Sequence, residues 1–440
     1  MKVLLIGRWG KTHALAKELA GSKNVELYSL MDKKNTGIDE LSVHSEIGDI
    51  KDIHTIEKFV ERHRIGMIVV VPEMVLAEDI TTFFRKKGIP AIGPSKLCTK
   101  LEGDKGFLRD LMKENNIDAS PDYNIFFNKN KAIVFIRNYD RPVAVKPAGI
   151  TEGDGVKVMG IQLQDKNEAV DYVKEIFNKS IGGLPHVIIE EKIEGEEYTI
   201  QMICDGKSII PLPAVKDYKL LEEGDSGLNT PGMGSCSYPD HLLPFLSRET
   251  FEESVKIVER ILDALKERYN EKFKGILSGQ YMLTKDSIKL VEINVRPGDS
   301  EILNITPILK TDFLEICKAI DEEKLDEIEI VCENKATVCK YIVPEGFPTP
   351  EGNCKLMIDK EKIDRIGTHL FQSCFEIDEF VFEPSPRLFA VTGVGDTLNE
   401  AYEKCEEGLS CITGDNLFYR KDIGSPELSE SYRESDLLPD

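Results

Sequence analysis

Glu292, Asn294 and Arg296 stand at alternate positions of VEINVRPGDSE, residues 291–301, with Val291, Ile293 and Val295 between them. A period of two is the signature of a strand with one polar face. A carboxylate, an amide oxygen and a guanidinium aimed one way each need a partner if buried. Two oxygens two residues apart converge on one point, which suits a hard divalent cation such as Mg²⁺. Arg296 adds a planar fork of donors for a phosphate or carboxylate. Gly298, Asp299 and Glu301 then turn the chain and bring two more acids. An exposed edge strand with a solvated face carries the same pattern, so the choice turns on whether other segments supply a nucleotide for the metal.

Several segments could. Lys146 lies in the apolar strand PVAVKPAG, where an ammonium asks for an anionic partner such as a nucleotide phosphate. The glycines that follow it, Gly149, Gly153 and Gly155, make a turn able to bring backbone N–H groups against phosphates. In VIIEEKIEGEEYTIQMI, residues 187–203, one strand ends at Glu190 and Glu191 and another begins after Glu196 and Glu197. Such a hinge can present backbone groups to a purine edge and an acid to ribose hydroxyls; a charged hairpin corner is the plainer account. GDSGLNTPGMGSCSYP, residues 224–239, reads as a long functional loop with Asp225, Asn229 and Thr230 as candidate ligands. Lys216, Asp217 and Lys219 precede it. GILSGQYMLT pairs with the opening strand through the turn KDSI. Gln280 then either adds a third oxygen beside Glu292 or is an ordinary half-exposed strand residue.

The first turn, GRWGKTH, has Gly7 and Gly10 but lacks the GxGxxG spacing of a dinucleotide fingerprint. A helix N-terminus there can hold a phosphate, with Lys11 and His13 favouring it; His13 packed under a loop is the alternative. MIVVV, an all-apolar strand typical of a parallel sheet, ends in Pro72 and Glu73, at the edge where open α/β sheets bind ligands.

The elements that position these residues follow from pattern and length. A chain of 440 residues exceeds one compact core. Strands VLLI, VELYSL, MIVVV and IPAIGP alternate with helical segments in a small open α/β domain. SKLCTKLEGDKGFLRDLMKENNI is a charged helical stretch broken at Gly103 and Gly106, and a core-facing helix follows from about residue 247 to 270. The last region opens with the strand ATVCKYIV, closes with RLFAVTGVGDTLNEAYEKCEEGL as strand, turn and helix, and ends in an acidic tail expected to be disordered. Hydrophobic content of 41% with 30% charge is ordinary for a soluble protein. The net charge of −22 disfavours nucleic acid and anionic membrane as partners. Ten scattered cysteines without zinc spacing, and no signal sequence or membrane span, suggest a cytoplasmic protein with reduced thiols.

In order, the landmarks KTHAL, VPE, GIPAIGPS, LEGDKGFLRD, the AVK strand, VIIEEKIEGEE, SGLNTPGMGS, EINVRPGDSE, VTGVGDTLNEA and FYRKDIG run from residue 7 to about 424. The chain resembles the phosphoribosylamine–glycine ligase (glycinamide ribonucleotide synthetase) family of purine biosynthesis, which has an ATP-grasp fold. The resemblance implies an α/β and α+β multidomain protein. It would have an N-terminal open α/β (pre-ATP-grasp) domain at 1–98 and a two-lobed ATP-grasp domain at 99–330, with a lid lobe at about 125–190. A small C-terminal α+β domain at 331–424 and the tail at 425–440 complete it.

By the same resemblance, Lys105 and Lys146 contact ATP phosphates under the loop holding Gly149, Gly153 and Gly155. Glu190, Glu191 and Ile193 form the adenine hinge, and Glu197 is the ribose acid. Glu292 and Asn294, with Gln280, hold Mg²⁺ or Mn²⁺. Arg296, Gly298 and Asp299 meet the acceptor substrates near the γ-phosphate, with Arg296 and Asp299 catalytic. Asp217, Lys219, Asn229, Thr230, Gly10, Lys11, His13 and Glu73 belong to the substrate mouth. The implied reaction activates glycine as glycyl phosphate, which 5-phosphoribosylamine attacks to give glycinamide ribonucleotide, ADP and phosphate. The expected partners are those small molecules, with the chain a monomer or weak homodimer. The chain departs from the family pattern at Trp9, Lys11 and Thr12 in the first turn, at Asp154 in the glycine loop, and at Val71, Val75, Pro231 and Ser300. Those departures leave two alternatives: another ATP-grasp carboxylate–amine ligase with a different acceptor, or a non-catalytic ATP-binding paralogue.

Overall fold

A computed structural model describes residues 1–433 apart from 152–154, 351, 379–380 and 384–386. Five parallel strands, β1 (Lys2–Ile6), β2 (Glu26–Met31), β3 (His44–Ile47), β4 (Met67–Val70) and β5 (Ala91–Ile92), form a sheet in the order β3-β2-β1-β4-β5. Alternation along β1 sends Leu4 and Ile6 to a core with Ile56 and Phe59, and Val3 and Leu5 to a second core with Leu15 and Leu19. Burial on both faces explains the unbroken apolar runs of β1 and β4. The edge strand β3, with sequence HSEI, has no such run and is missing from the sequence-based set of strands. The carboxyl ends of β1 and β4 lead into residues 7–10 and 72–73, so both segments reach the same rim.

Four strands make a second sheet: β6 (Tyr123–Phe126), β7 (Val143–Pro147), β8 (Lys157–Val158) and β9 (Val187–Glu191), antiparallel in the order β6-β9-β7-β8. Val143, Val145 and Ile189 pack against the helices Lys129–Asn138 and Lys166–Lys179. The opposite face carries Lys146 and Glu190, whose register partners are Ile188 and Ala144. The expected charged helical stretch is two helices, Lys100–Gly103 and Lys105–Glu114. Asp104 separates them and caps the second, accepting from the N–H groups of Gly106 and Phe107.

The remaining strands are β10 (Glu196–Asp205), β11 (Ile209–Glu222), β12 (Ser226–Ser237), β13 (Lys274–Leu283), β14 (Ile288–Asn294), β15 (Ala336–Pro344), β16 (Cys354–Ile358), β17 (His369–Gln372), β18 (Glu376–Asp378), β19 (Val381–Phe382), β20 (Phe389–Gly395), β21 (Ile412–Gly414) and β22 (Leu417–Phe418). Nine of them form one sheet, ordered β14-β13-β10-β11-β12-β15-β20-β17 with β22 beside β15. The C-terminal region therefore continues the large sheet directly.

Two sequence-based expectations change here. The segment read as a glycine-rich loop is strand β12, which pairs with β11 on one side and β15 on the other. Its Gly232 and Gly234 adopt φ +116° and +154°, so the strand departs from regular geometry without leaving the sheet. The tail expected to be disordered begins as a helix, Pro426–Arg433, whose Tyr432 is buried against Phe245 and Tyr218. All ten cysteines are free thiols. Among the described residues no helix is long and apolar enough to cross a membrane.

Candidate active site

Strands β13 and β14 pair antiparallel with Gln280 directly opposite Glu292 and Ser278 opposite Asn294. The ladder is irregular between these pairs and Tyr281–Leu290, leaving Val291 as an inserted residue. Leu290, Ile293 and Val295 therefore take the buried positions, and Val291 does not share their face as simple alternation predicts. Arg109, a buried helix residue, braces the inserted segment: its Nη1 and Nη2 donate to the carbonyls of Leu290 and Val291 at 3.1 and 2.7 Å.

The bulge leaves Gln280, Glu292 and Asn294 side by side. Asn294 Nδ2 lies 3.5 Å from Glu292 Oε1, and Arg296 Nη2 lies 3.4 Å from Asn294 Oδ1. Lys219 Nζ donates to Gln280 Oε1 at 2.7 Å and pairs with Glu197. Burial alone would raise the Glu292 carboxyl, but Lys219, Lys105, Lys146 and Arg296 together hold it below the usual carboxylate range. The donor set of one carboxylate and two amide oxygens, with an ammonium already drawn to it, fits a hard divalent cation.

Next to these oxygens are the two lysines. Lys105 opens its helix, and its backbone N–H donates to Ala148 O at 2.9 Å while Nζ donates to Gly149 O at 3.0 Å. Burial lowers its pKa and the nearby Lys146 adds to that, with Glu292 opposing. Lys146 Nζ pairs with Glu190 Oε2 at 2.5 Å, and Arg109 Nε pairs with Glu190 Oε1 at 2.7 Å. Burial would raise Glu190, yet Arg109 and Lys146 pull it down to about 2. The Glu190 side chain is thus committed to two cations inside the protein, leaving any purine contact at this end to backbone. Glu191 is tied likewise, accepting from Asp122 N at 3.0 Å and from Arg141 Nη1 at 2.6 Å. Ile193 follows in the short connection to β10. A Cβ on Gly149 would run into the Gly182 carbonyl and one on Gly155 into Thr151, so both glycines allow close backbone approach. Gly153 lies outside the described residues.

The far end of the site draws on all three parts of the chain. Glu73 Oε2 sits 3.4 Å from Lys11 Nζ and 3.3 Å from Arg296 Nε, and Arg296 Nη2 is 3.2 Å from Glu102 Oε1. Burial would raise Glu73, but Lys11 and Arg296 bring it to about 2. Asp299 Oδ2 accepts from the Lys11 N–H at 3.1 Å. Asp299 Oδ1 accepts from Tyr341 Oη at 2.5 Å and lies 3.2 Å from Arg387 Nη2. Arg387 Nη1 donates to the carbonyls of Pro231, Gly232 and Asp299 at 3.2, 3.2 and 3.1 Å. A Cβ on Gly10 would collide with Tyr341 Oη, which explains the glycine at the helix start. Gly298 donates its N–H to Gln201 Oε1 at 2.9 Å. Glu301 is buried and Asp217 half-buried with its Oδ1 turned inward; each is raised by loss of solvent, with their mutual repulsion adding to the shift in Asp217. Asp217 Oδ1 has no hydrogen-bond partner among the described residues.

Not every candidate points into this cluster. His13 is buried at the contact with the C-terminal region: its Nδ1 accepts from Gln372 N at 2.8 Å and its ring packs edge-on to Phe371. Burial, then Lys17, lowers its pKa to about 3, so it is a neutral packing residue. Thr230 braces the β11–β12 irregularity, donating to Lys219 O at 2.7 Å and accepting from Gly232 N at 3.1 Å. Asn229 lies opposite Leu220 in the same ladder. Asp225 pairs with Arg420 at 2.7 Å at the rim. Sequence reasoning missed Arg109, Glu102, Tyr341 and Arg387. Arg109 and Glu102 sit in LEGDKGFLRD and Arg387 opens RLFAVTG, but nothing local in either motif distinguishes an inward side chain from a solvated one.

Comparison with known proteins gives concordant results. Family profiles described as phosphoribosylglycinamide synthetase match throughout: the N domain at residues 1–102, the ATP-grasp (A) domain at 103–302 and the C domain at 337–426. A phosphoribosylamine–glycine ligase of Methanopyrus kandleri is 42% identical over 438 residues, covering 98% of this chain and 97% of the relative. One of Methanocaldococcus jannaschii is 42% identical over 434 residues, covering 97% of each. The solved phosphoribosylamine–glycine ligase of Thermotoga maritima shares the fold with TM-score 0.81 at 23% identity, covering 96% of this chain and all of that one. The biotin carboxylase domain of the Hydrogenobacter thermophilus 2-oxoglutarate carboxylase, solved with MgADP and bicarbonate, aligns at TM-score 0.72 and 14% identity, over 95% of this chain and 91% of that one.

Proposed function

Since this chain belongs to the phosphoribosylglycinamide synthetase family, we propose that it joins glycine to 5-phosphoribosylamine with cleavage of ATP to ADP and phosphate. The observation that carries this reading is Glu292, flanked by four cations and facing Gln280 across the β13–β14 ladder. Gln280, Glu292 and Asn294 would hold Mg²⁺, or Mn²⁺ in its place, and the ion would supply charge neutralisation to the phosphates. Lys105 and Lys146 meet the phosphates of ATP, with the backbone at Gly149 and Gly155 beside them. Ile193 and the backbone at Glu191 meet the adenine, and Glu197 the ribose.

An oxygen of the glycine carboxylate attacks the γ-phosphorus, ADP leaves, and an acyl phosphate forms. Lys105, Lys146 and Arg296 stabilise the charge that spreads over the transferred group. The amine nitrogen of 5-phosphoribosylamine then attacks the acyl carbon, phosphate departs, and the amide results. Asp217 and Glu301 lie at the acceptor end to receive the incoming amine, and the proton that the amine loses leaves with the departing phosphate. Asp299 and Gly298 position the acceptors, and Lys11 keeps a positive charge at the first turn for the sugar phosphate. The lid excludes water from the acyl phosphate.

The protein works in the cytoplasm as a monomer or weak homodimer, with functional divisions at residues 98, 330 and 424. The test is ADP release measured with glycine and 5-phosphoribosylamine, together and singly. Release that requires both supports the reading, and release only with another amine overturns it. A non-catalytic paralogue is disfavoured by the retained Lys146, Glu292 and Asn294.

A further inference from the structure

A second cluster of metal-type ligands stands outside this site and shares no residue with it. His44 and Glu46, two residues apart on the edge strand β3, project from one face of the sheet. His63 closes the helix Ile53–His63, which packs on that face. His44 Nε2 is 3.0 Å and His63 Nε2 is 3.2 Å from the same oxygen, Glu46 Oε1. All three ligand atoms lie within 4.8 Å of one another.

We propose that His44, Glu46 and His63 form a binding site for a Zn²⁺-class transition-metal ion. Two imidazoles and a carboxylate suit Zn²⁺, Co²⁺, Ni²⁺ or Cu²⁺, not Mg²⁺. Metal–ligand bonds of about 2.0–2.2 Å at tetrahedral angles place ligand atoms roughly 3.3–3.5 Å apart, so the two separations from Glu46 need to open by only a few tenths of an ångström. The rings are held for the purpose. His44 and His63 lie 4.5 Å apart by centroid with an interplanar angle of 33°, and His63 also packs on Phe59 at 4.5 Å and Tyr28 at 5.3 Å. Arg62 Nη1 donates to the same oxygen, Glu46 Oε1, at 2.8 Å, so a bound ion displaces it or takes the free Oε2.

A carboxylate oxygen only accepts, so both imidazoles present Nε2–H to Glu46 without a metal. Binding moves each ring proton to Nδ1 or to solvent, and Nε2 becomes the ligand. The half-exposed side chains leave a fourth position open to water. Arg62 and Lys2, whose Nζ reaches His63 O at 3.1 Å, are the cations that oppose a second positive charge. The bound ion ties the edge strand to the end of its covering helix.

The test uses the full chain in excess Mg²⁺, which fills oxygen-ligand sites. Co²⁺ is added first as a spectroscopic probe, then Zn²⁺ alone is titrated by calorimetry. One equivalent of Co²⁺ giving the visible bands of a tetrahedral ion supports the site. His44→Gln and His63→Gln should each lose those bands and bind Zn²⁺ at least about tenfold more weakly, while Glu292→Ala keeps both. These side chains are not core, so the variants fold, and the metal-free melting curve checks it. Zn²⁺ should raise the melting temperature of the wild type and not of the double variant His44→Gln/His63→Gln. Wild-type uptake no greater than that of the double variant, or Co²⁺ bands that survive in it, overturns the proposal.

Discussion

The carboxylate of Asp299 accepts from the backbone N–H of Lys11, across 288 residues of sequence, at 3.1 Å. The N-terminus of the helix Gly10–Gly21, a place able to hold an external phosphate, is thus met by an anion of the protein's own. The same carboxylate takes the Tyr341 hydroxyl and the Arg387 guanidinium. The sugar phosphate, if it binds near this turn, has Lys11 Nζ and not the bare helix end to meet.

Asp299→Asn keeps the shape of this junction and removes its charge. Steady-state kinetics should show kcat/KM lower by about 100-fold, the scale of one lost electrostatic contact in an active site. The melting temperature should fall by only a few degrees. Activity within a few-fold of wild type would remove Asp299 from the catalytic set.

Glu292→Ala takes away the carboxylate that four cations surround. Mg²⁺-dependent ATP turnover should drop below detection while the circular dichroism spectrum is unchanged. Near-normal turnover would mean that the metal ligands lie elsewhere.

Arg387→Met strips the donor that holds Pro231, Gly232 and Asp299 together and leaves the Asp299 carboxylate short of a buried cation. Loss of one partner of such a pair costs about 3–5 kcal/mol, readable in urea unfolding. Arg387→Lys keeps the charge but lacks the fork, so it should recover part of the stability and little of the activity.

Stability should fall in acid because of Glu190 and Glu73. Both drop from 4.5 to about 2 in the folded state. Folded-state pKa values below the unfolded ones contribute stability that is complete above pH 4.5 and lost as pH falls through about 2. At about 1.4 kcal/mol per unit, each contributes on the order of 3 kcal/mol. Glu190→Gln should be less stable at neutral pH, with a shallower decline between pH 5 and 2 by urea titration. A decline of unchanged steepness would exclude Glu190 as its source.

What sequence alone could reveal divides along the range of the interactions. Lys146 in its apolar strand, and the pairing that sets Gln280 against Glu292, follow from local alternation and a short turn, and the structure has both. The bulge at Val291 does not, because the group that braces it is the side chain of Arg109 on a helix distant in sequence. Arg109, Glu102 and Arg387 look like solvated charges in sequence, and only packing shows them buried. β12 was read as a loop because glycine, proline and serine disfavour strands, yet pairing on both sides overrides that preference. His13 illustrates the reverse: a residue type suited to chemistry, placed where burial keeps it neutral.

The continuity of the large sheet sets a limit on how this protein can be divided. The family segments suggest a chain that could be cut near residue 331 into independent pieces. Such a cut would strip β15 from β12, baring the ladder groups of Gly234, Ser235, Cys236 and Ser237. It would also remove Tyr341 and Arg387 from Asp299. An edge bared in this way invites pairing with other chains. A truncated catalytic half should therefore be insoluble as well as inactive, and co-expressing the missing piece is the way to recover it.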